Sequence, residues 1–310
     1  MRTVKVWARC CVVIAMSSVC LWLSGCTGSS KQMSFASSDD AAGAFVKAAR
    51  ENDEGKLMKI FGPDAKELIS SGDEVRDRLG REKFVEAYDQ QHKIDSEGDK
   101  KILVVGKKEW PFPIPIVQED GKWVFDTASG REEILNRRIG RNELDTIQVM
   151  LAIVDAQREY ATKDRDGDKI LQYAQKFASD PGKMNGLYWE AKEGTEQSPL
   201  GFWAAQARQE GYTKKNSADK PLPYHGYFYR ILKAQGAHAS GGAYDYIVDG
   251  RMIGGFAVVA YPAEFGNSGI MTFIVNHDGV VYQKDLGSDT EQKAKAMTLF
   301  DPDDTWTKVK

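Results

Sequence analysis

The sequence predicts an α+β protein of two modules, each with helices packed on an antiparallel sheet, and a long helix that joins the modules. In residues 35–127, segments with the apolar spacing of helices come first and strand-like segments follow. Residues 128–163 keep helical spacing almost throughout, and residues 164–310 contain several runs rich in aromatic and β-branched residues. Helices and strands in separate groups, rather than in alternation, favour the α+β class.

Residues 1–25 have the composition of a signal peptide. Basic residues precede an uncharged apolar stretch from Cys10 to Leu23, and small residues follow it. A plain signal peptide or a short membrane helix is the alternative interpretation, although the stretch is too short to span a bilayer. We therefore expect the mature chain to begin after residue 25.

The segment Leu23-Ser24-Gly25-Cys26 resembles the lipobox of bacterial lipoproteins. The resemblance implies cleavage before Cys26 and its acylation on the sulfur and the new amine, which gives stable anchoring because more than one acyl chain is attached. Thr27 stands where an aspartate would retain a lipoprotein in the inner membrane, so the resemblance implies an outer-membrane location facing the periplasm. Residues 26–34 predict a short polar tether.

Three helices and then three strands are predicted in residues 35–127. Ser37 and Asp40 form a capping-box pattern before the first helix, and Gly62-Pro63 ends the second. The third helix is expected over about 81–92. The strands are expected over 102–105, 114–117 and 122–125, with a turn at Asp120-Gly121.

The predicted connecting helix runs from Ala128 to Ala161, with Gly140 as a point of interruption. Its apolar stripe is expected to consist of Leu144, Ile147, Leu151 and Val154. The stripe should pack on an antiparallel meander that is followed by a helix from Ser288 to Phe300. The strands of the meander are expected over 227–232, 244–248, 252–261, 270–275 and 280–284, with turns at Asp249-Gly250 and Asp278-Gly279.

Both halves of the mature chain carry partial resemblances. Helices followed by an antiparallel sheet that closes with Asp120–Asp126 make residues 35–127 similar to the nuclear-transport-factor-like cone fold. Gln148–Tyr160, together with Gly226–Tyr229 and Gly269–Asn276, resembles the globular part of pilin-like proteins. Pilins use the apolar half of that helix as their filament core, whereas another module stands at that position here, so assembly into a pilus is not implied.

Further segments are spread over the mature chain. They are Glu109–Pro115, Gly130–Leu135, Arg138–Leu144, Pro181–Lys183, Gly186–Trp189 and Pro223–Tyr227. Together they are similar to the domain of unknown function 2950 family of bacterial envelope proteins. This resemblance implies an envelope protein and brings no reaction with it.

Charge and cysteine content exclude some classes of partner and site. Without residues 1–25, the chain has 42 − 3 = 39 basic and 45 acidic residues, a formal charge of about −6. Nucleic acid is not an expected partner, because phosphate binding needs clustered Lys and Arg. All four cysteines precede residue 27, so an acylated Cys26 leaves no thiol for a disulfide or a thiolate metal site.

Asp164, Asp166 and Asp168 form the best-defined candidate metal site. Alternate aspartates in a loop direct their carboxylates to one point, which suits calcium. The segment resembles the first half of an EF-hand loop, but Lys169 stands in place of the glycine and Gln175 in place of the bidentate glutamate. A solvated acidic turn is the alternative, and calcium is the one cofactor that the sequence suggests.

Tyr224 and His225 form a candidate polar site. An aromatic-flanked histidine could act as a general base, with Asp245 or Glu264 as its partner. The alternative is a histidine hydrogen-bonded at the start of a strand. None of the four histidines has metal-ligand spacing, and Gly266–Gly269 lacks the second glycine of a nucleophile elbow.

Two further sets of residues are candidates in the first module. Alternate prolines in 110–115 predict an extended edge from which Trp110 and Phe112 project as a protein-contact surface, or else a protected edge strand. Asp89, His92 and Glu109 would line a pocket if they faced into the cone; a solvated position is the alternative.

The sequence favours a non-enzymatic envelope lipoprotein that is attached to a membrane through its lipid and contacts other envelope proteins. Its predicted role is the assembly or maintenance of a cell-surface structure. The alternative is a periplasmic hydrolase or small-molecule-binding protein that uses a pocket in the first module. A cone filled with apolar side chains would count against this alternative.

Overall fold

The computed structural model describes residues 32–212 and 222–309. The predicted signal peptide, Cys26 and most of the tether lie outside these residues. Helices and mainly antiparallel sheets occur in separate groups, which confirms the α+β class. The residue bounds of the two predicted modules stay a prediction.

The described residues form seven α-helices and a 3₁₀ turn at Pro63–Ala65. The helices are α1 (Ser38–Arg50), α2 (Glu54–Phe61), α3 (Lys66–Ile69), α4 (Glu74–Gln90), α5 (Thr127–Tyr160), α6 (Gly201–Glu210) and α7 (Thr290–Ala296).

The strands fall into two larger and two smaller sheets. They are β1 (His92–Glu97), β2 (Lys100–Val105), β3 (Trp110–Pro111), β4 (Ile116–Glu119), β5 (Lys122–Phe125), β6 (Tyr227–Leu232), β7 (Ala234–Gln235), β8 (Tyr244–Asp245), β9 (Ile247–Val248), β10 (Arg251–Met252), β11 (Ala257–Pro262), β12 (Met271–Asn276), β13 (Tyr282–Asp285), β14 (Leu299–Phe300) and β15 (Thr307–Lys308).

The first sheet has the order β1-β2-β4-β5, with β3 also paired to β2. Helices α1 and α4 pack on it around a phenylalanine cluster, in which the Phe45 ring centroid lies 4.8 Å from those of both Phe84 and Phe112. Phe61 and Phe125 complete this cluster, which also contains aliphatic side chains from β2 and β4. The side chain of Gln32 fixes the start of the described chain here, donating to the carbonyls of Ile60 at 3.0 Å and Phe125 at 2.8 Å.

Residues 92–97 form strand β1, where the sequence predicts a helix end and a turn. The strand pairs with β2 in a register that joins His92 to Val105 and Glu97 to Lys100, so the turn contains only Gly98 and Asp99. Gly98 supplies this tight turn with a φ of +63°. Pairing with the buried strand β2 therefore selects the strand conformation of β1, although its own sequence has only a weak strand preference.

The second sheet has the order β15-β13-β12-β11-β6 and is antiparallel throughout. Strand β11 is buried on both faces, at the centre of a second core that includes Tyr227, Phe256 and Phe273. The run predicted at 244–248 lies outside this sheet: β8 joins β7, and β9 forms a hairpin with β10 across the expected turn at Asp249-Gly250. The predicted final helix ends early at Ala296, because β14 pairs in parallel with β7.

Helix α5 runs without interruption through Gly140. Its predicted apolar stripe is confirmed for Val154, which is buried, and for Ile147, which packs against the second core, but is wrong for Leu144 and Leu151. Leu144 is 67% exposed and Leu151 is 37% exposed. The buried face contains Met150 and Ile153 beside Val154, together with polar residues. Periodicity of apolar residues identified this face only in part, because the buried polar residues Asn142, Thr146 and Gln157 belong to it.

Polar side chains of α5 connect segments of the two halves. The Arg138 guanidinium donates to the carbonyls of Glu67 and Leu68, each at 2.6 Å, and to the side chain of Asn267. The Asn142 amide donates to the carbonyl of Ser268 at 2.9 Å. The loop that contains Gly266–Gly269 is therefore a docking loop for α5, and Ser268 is fully buried in it.

Two further helices differ from the prediction. Helix α4 begins seven residues before the predicted position of Arg81, because the Asp73 side chain caps it by accepting from the Arg76 N–H at 3.0 Å. Helix α6 was not predicted; it ends before Gly211, which has a φ of +105°.

Across residues 32–212 and 222–309, none of the helices combines the length and hydropathy needed to cross a membrane.

Candidate functional site

The polar residues proposed for the interior of the cone lie on its outside. Asp89 is exposed and forms an ion pair with Arg50 at 2.7 Å. Glu109 pairs with Lys93 at 3.1 Å, and the exposed His92 stacks on Tyr88. The space that these residues would have lined is filled by the phenylalanine cluster. The predicted pocket is therefore not formed by them.

Trp110 and Phe112 do not share one surface. Trp110 is 38% exposed, whereas Phe112 is 8% exposed and lies in the phenylalanine cluster. The prediction of Phe112 as a contact residue is wrong, because the chain leaves β3 directly after Pro111 and the Phe112 N–H donates to the Leu103 carbonyl at 2.7 Å. Trp110 keeps the position expected for a contact residue, with the Arg137 guanidinium 5.1 Å from its ring centroid.

Asp164, Asp166 and Asp168 do come together. One carboxylate oxygen of each lies within 4.8 Å of the others. Each carboxylate also has partners in the protein: Asp164 accepts from the N–H groups of Gly167 and Lys169 at 2.8 Å, and Asp168 pairs with Arg251.

These contacts shift the three pKa values in different directions. The N–H of Lys169 lowers the pKa of Asp164, and the Arg251 side chain lowers that of Asp168. Desolvation, together with the neighbouring carboxylates, raises the pKa of Asp166. The oxygens are close enough for a calcium ion, but Arg251 already neutralises part of their charge, and the calcium site stays a prediction.

Tyr224 and His225 lie in the turn before β6, where His225 adopts a φ of +53°. Nε2 of His225 lies 3.1 Å from Oε2 of Glu210, and Nδ1 lies 3.6 Å from Oδ2 of Asp145. The predicted partners of His225, Asp245 and Glu264, are wrong, because α5 and α6 bring other carboxylates to the imidazole. Asp245 is exposed in a different sheet, and Glu264 accepts from the Asn267 amide at 2.7 Å.

Asp73 organises the other side of this turn. Besides capping α4, its carboxylate accepts from the Tyr212 hydroxyl at 2.8 Å and from the Gly226 N–H at 2.9 Å. Arg76, one turn into α4, forms an ion pair with Asp145. We call this set the His225 cluster. It consists of Asp73, Arg76, Asp145, Glu210, Tyr212, Tyr224 and His225.

The tyrosines of the His225 cluster are held in their neutral form. Desolvation, with a smaller contribution from Glu210, raises the pKa of Tyr224 to about 12. Burial also raises the pKa of Tyr212, and the Asp73 carboxylate adds to this effect. Both phenols therefore keep their protons at physiological pH.

The His225 cluster joins four elements, since its residues come from α4, α5, α6 and the turn before β6. Its imidazole side chain is 9% exposed, which leaves a substrate little access to either ring nitrogen. Carboxylate oxygens lie near both ring nitrogens, 3.1 Å from Nε2 and 3.6 Å from Nδ1, so the imidazole is enclosed by the protein's own acidic groups. The geometry therefore favours the alternative interpretation of His225, as a structural residue at a strand start.

A second candidate site lies next to the irregular segment 161–200. This segment contains no helix or strand beyond a bridge between Ala178 and Tyr188. Long irregular segments inside a compact protein are uncommon and often functional. Two side chains of α5 fix it: the Gln157 amide forms two 2.8 Å hydrogen bonds with the backbone of Ala174, and the Tyr160 hydroxyl donates to the Met184 carbonyl at 2.9 Å.

A groove of about 930 Å³ lies between this segment and α6. Apolar residues from both walls line it, together with three aromatic residues and several charged ones. They are Ala178, Pro181, Met184, Ala204, Ala207, Tyr188, Trp189, Tyr212, Asp180, Lys183, Glu190, Lys192 and Arg208. We call it the α6 groove.

Local sequence patterns indicate Tyr224 and His225 but not their partners or the α6 groove. Asp145 and Glu210 lie 80 and 15 residues before His225, and no local spacing connects them. The sequence contains a partial helix signal for α6: an alanine-rich segment is followed by Gly211, and glycine is common after the last turn of a helix.

The sequence profile of a family described as "Protein of unknown function (DUF2950)" matches residues 32–309. No match was found among curated proteins or among solved structures.

Proposed function

The chain belongs to the DUF2950 family of proteins of unknown function, and we propose that it is a lipid-anchored binding protein of the bacterial cell envelope. It attaches to the outer membrane through acylated Cys26, faces the periplasm, and contacts envelope proteins in the assembly or maintenance of a cell-surface structure. It acts without catalysing a reaction.

The observation that carries the proposal is the segment Leu23-Ser24-Gly25-Cys26 at the end of an apolar leader. A signal peptide directs the chain out of the cytosol, and acylation at its cleavage site anchors it to a lipid surface. The absence of cysteine from residues 27–310 fits an oxidising compartment in which a free thiol would be exposed to oxidation.

Two features of the described residues support binding over catalysis. The polar residues that were candidates for catalysis have structural contacts instead. Asp89 and Glu109 form ion pairs at the surface, and Tyr224 and His225 belong to the His225 cluster. By contrast, α6 presents Phe202 with 74% of its surface exposed, beside Trp203 in an edge-to-face contact. A large exposed aromatic side chain on a helix that also lines a groove suits partner contact.

The anchor is tested by expression with a radiolabelled or clickable fatty acid, followed by mass spectrometry of the mature amino terminus. We expect label on the parent chain, none on Cys26→Ser, and full label on the matched control Cys20→Ser. An unlabelled parent chain, or equal labelling of Cys26→Ser, would contradict the anchor.

The contact surface is tested by placing a photo-crosslinking amino acid at position 202 in cells. Position 144 on α5 is the control, because Leu144 is similarly exposed on another helix. We expect a discrete envelope-protein adduct from position 202 that is absent from position 144. Identical adduct patterns from both positions would contradict α6 as the contact surface.

A further inference from the structure

We propose that the α6 groove binds an amphiphilic anion, a ligand with an apolar body and a carboxylate head. The proposal goes beyond the proposed contact with envelope proteins and does not depend on the lipid anchor.

Contacts behind it hold the wall formed by residues 178–195 in place. Behind it, the Arg165 guanidinium lies between two aromatic rings, 4.6 Å from the centroid of Tyr160 and 5.5 Å from that of Trp189. Arg165 also pairs with Glu196 at 2.9 Å, and its side chain is only 4% exposed. The Trp189 indole N–H donates to the Glu196 carbonyl at 3.1 Å. A preformed wall lowers the entropy cost of binding.

The interior of the groove is mainly apolar. Ala204 and Ala207 of α6 line it together with Ala178, Pro181 and Met184 of the irregular segment. A volume of about 930 Å³ lies within the range of small-molecule sites. An aliphatic or aromatic body would displace water from these surfaces, which is favourable.

The groove is lined by three cations, Lys183, Lys192 and Arg208, and by two carboxylates, Asp180 and Glu190, and this balance favours an anion. Asp180 is already neutralised by Lys176 at 2.6 Å and accepts from the Asn185 amide at 2.8 Å. Neither Lys192 nor Arg208 pairs with a carboxylate of the described residues.

Arg208 is the residue best placed to receive the head group. Its guanidinium donates to the Tyr188 hydroxyl and lies 5.2 Å from the centroid of that ring, which holds it at the groove with its other N–H groups available. A guanidinium binds a carboxylate through two parallel hydrogen bonds, which a Lys ammonium cannot do.

The test uses the mature chain from residue 26 with Cys26→Ser, so that no acyl group of its own competes. Both hydrophobic clusters lie within residues 41–300, so this chain contains them complete. Isothermal titration with octanoate, octylammonium and octyl glucoside, each below its micelle concentration, compares heads on the same apolar body. We expect octanoate to bind at least about tenfold more tightly than octylammonium. Equal affinities, or no binding of octanoate, would overturn the proposal.

Two matched pairs of variants locate the site. Arg208→Ala should weaken octanoate about tenfold, whereas Arg137→Ala, which removes an arginine from the ring of Trp110, should not. Ala207→Phe should fill the groove and abolish binding, whereas Ala205→Phe, at an exposed position of α6, should leave it unchanged. Circular dichroism checks that each variant is folded, and Lys192→Ala replaces Arg208→Ala if the latter is not.

The outcomes separate the two proposals. If octanoate fails to bind while Cys26 is labelled in cells, the groove proposal is overturned and the anchor stands. If octanoate binds in the expected way and Cys26 is not labelled, the anchor is overturned and the groove stands. Unequal effects of Arg208→Ala and Arg137→Ala support the head-group position; equal effects overturn it.

Discussion

Single polar side chains join segments that lie far apart in this sequence. Gln157 fixes residue 174, Arg138 fixes the end of α3, and Asp73 fixes the turn before β6. Each is at most 9% exposed and satisfies backbone groups that would otherwise be buried without a partner. Sequence periodicity treats such residues as solvent-facing. This is why the predicted stripe of α5 includes the exposed residues Leu144 and Leu151.

Replacement of Tyr224 by Phe should reduce the loss of stability in alkaline solution. Burial raises the pKa of Tyr224 from 10.0 to about 12, so the unfolded chain loses this proton at lower pH than the folded chain. The stabilisation is complete below pH 10 and is lost as the pH rises through 12. Between pH 9 and 11 we expect the parent to lose on the order of 1 kcal/mol more than Tyr224→Phe.

Urea unfolding of both proteins at the two pH values measures this difference. Tyr282→Phe is the control, because Tyr282 is a half-buried tyrosine outside the His225 cluster. The same pH dependence in the parent and in Tyr224→Phe would show that the phenol of Tyr224 is not the cause.

Calcium should raise the melting temperature of the parent chain if the three aspartates hold it. Binding to the folded state alone stabilises by mass action, and a few degrees are expected at millimolar calcium. Asp166→Asn keeps the size of the side chain and should lose this shift, whereas Asp180→Asn, whose carboxylate pairs with Lys176, should keep it. An unshifted parent, measured by scanning fluorimetry, would rule out the calcium site.

Elements with strong local signals were predicted well. Helices α1 and α2 were confirmed because their caps and stops are local: the Ser37 hydroxyl accepts from the Asp40 N–H at 3.0 Å, and Gly62 follows the last residue of α2. Strand β1 and the parallel pair β7–β14 were missed. Their residues are short polar or mixed segments, and only distant partners select the strand conformation for them.

Two glycines on α5 should respond oppositely to alanine. A Cβ at Gly130 would lie 2.6 Å from a side-chain carbon of Ile114 and 2.7 Å from the carbonyl oxygen of Pro113, so Gly130→Ala should destabilise by about 1–3 kcal/mol. A Cβ at Gly140 meets nothing within 4 Å, so Gly140→Ala should stabilise by about 0.5–1 kcal/mol. Urea unfolding measures both changes. A loss of stability in Gly140→Ala would mean that the helix needs a glycine at this point.

At the scale of the whole molecule, α5 connects two hydrophobic cores that have none of the described residues in common. The sequence predicted this helix and most of the longer strands on either side of it. It could not predict the polar contacts between the halves, since these depend on how two separately folded surfaces meet. The same reason explains why Asp145 and Glu210 were not paired with His225, while the sequence identified the imidazole itself.

Arg138→Ala should weaken the connection between the two cores. The change leaves the carbonyls of Glu67 and Leu68 and the side chain of Asn267 without their donor, and we expect a loss of about 2–4 kcal/mol. Arg137→Ala is the control; its side chain is 40% exposed and should change stability by less than about 0.5 kcal/mol. Scanning calorimetry measures both, and equal effects would contradict a special role of Arg138.

The contact of Gln32 with the first sheet sets a geometric limit on the proposed membrane attachment. Only six peptide units separate Cys26 from Gln32, and a fully stretched chain of that length reaches about 20 Å. Because this connection is short, acylation of Cys26 would keep the end of the protein that contains Ile60 and Phe125 close to the lipid headgroups. If Cys26 is acylated as proposed, the protein would rotate above the leaflet while its body stays at the membrane surface.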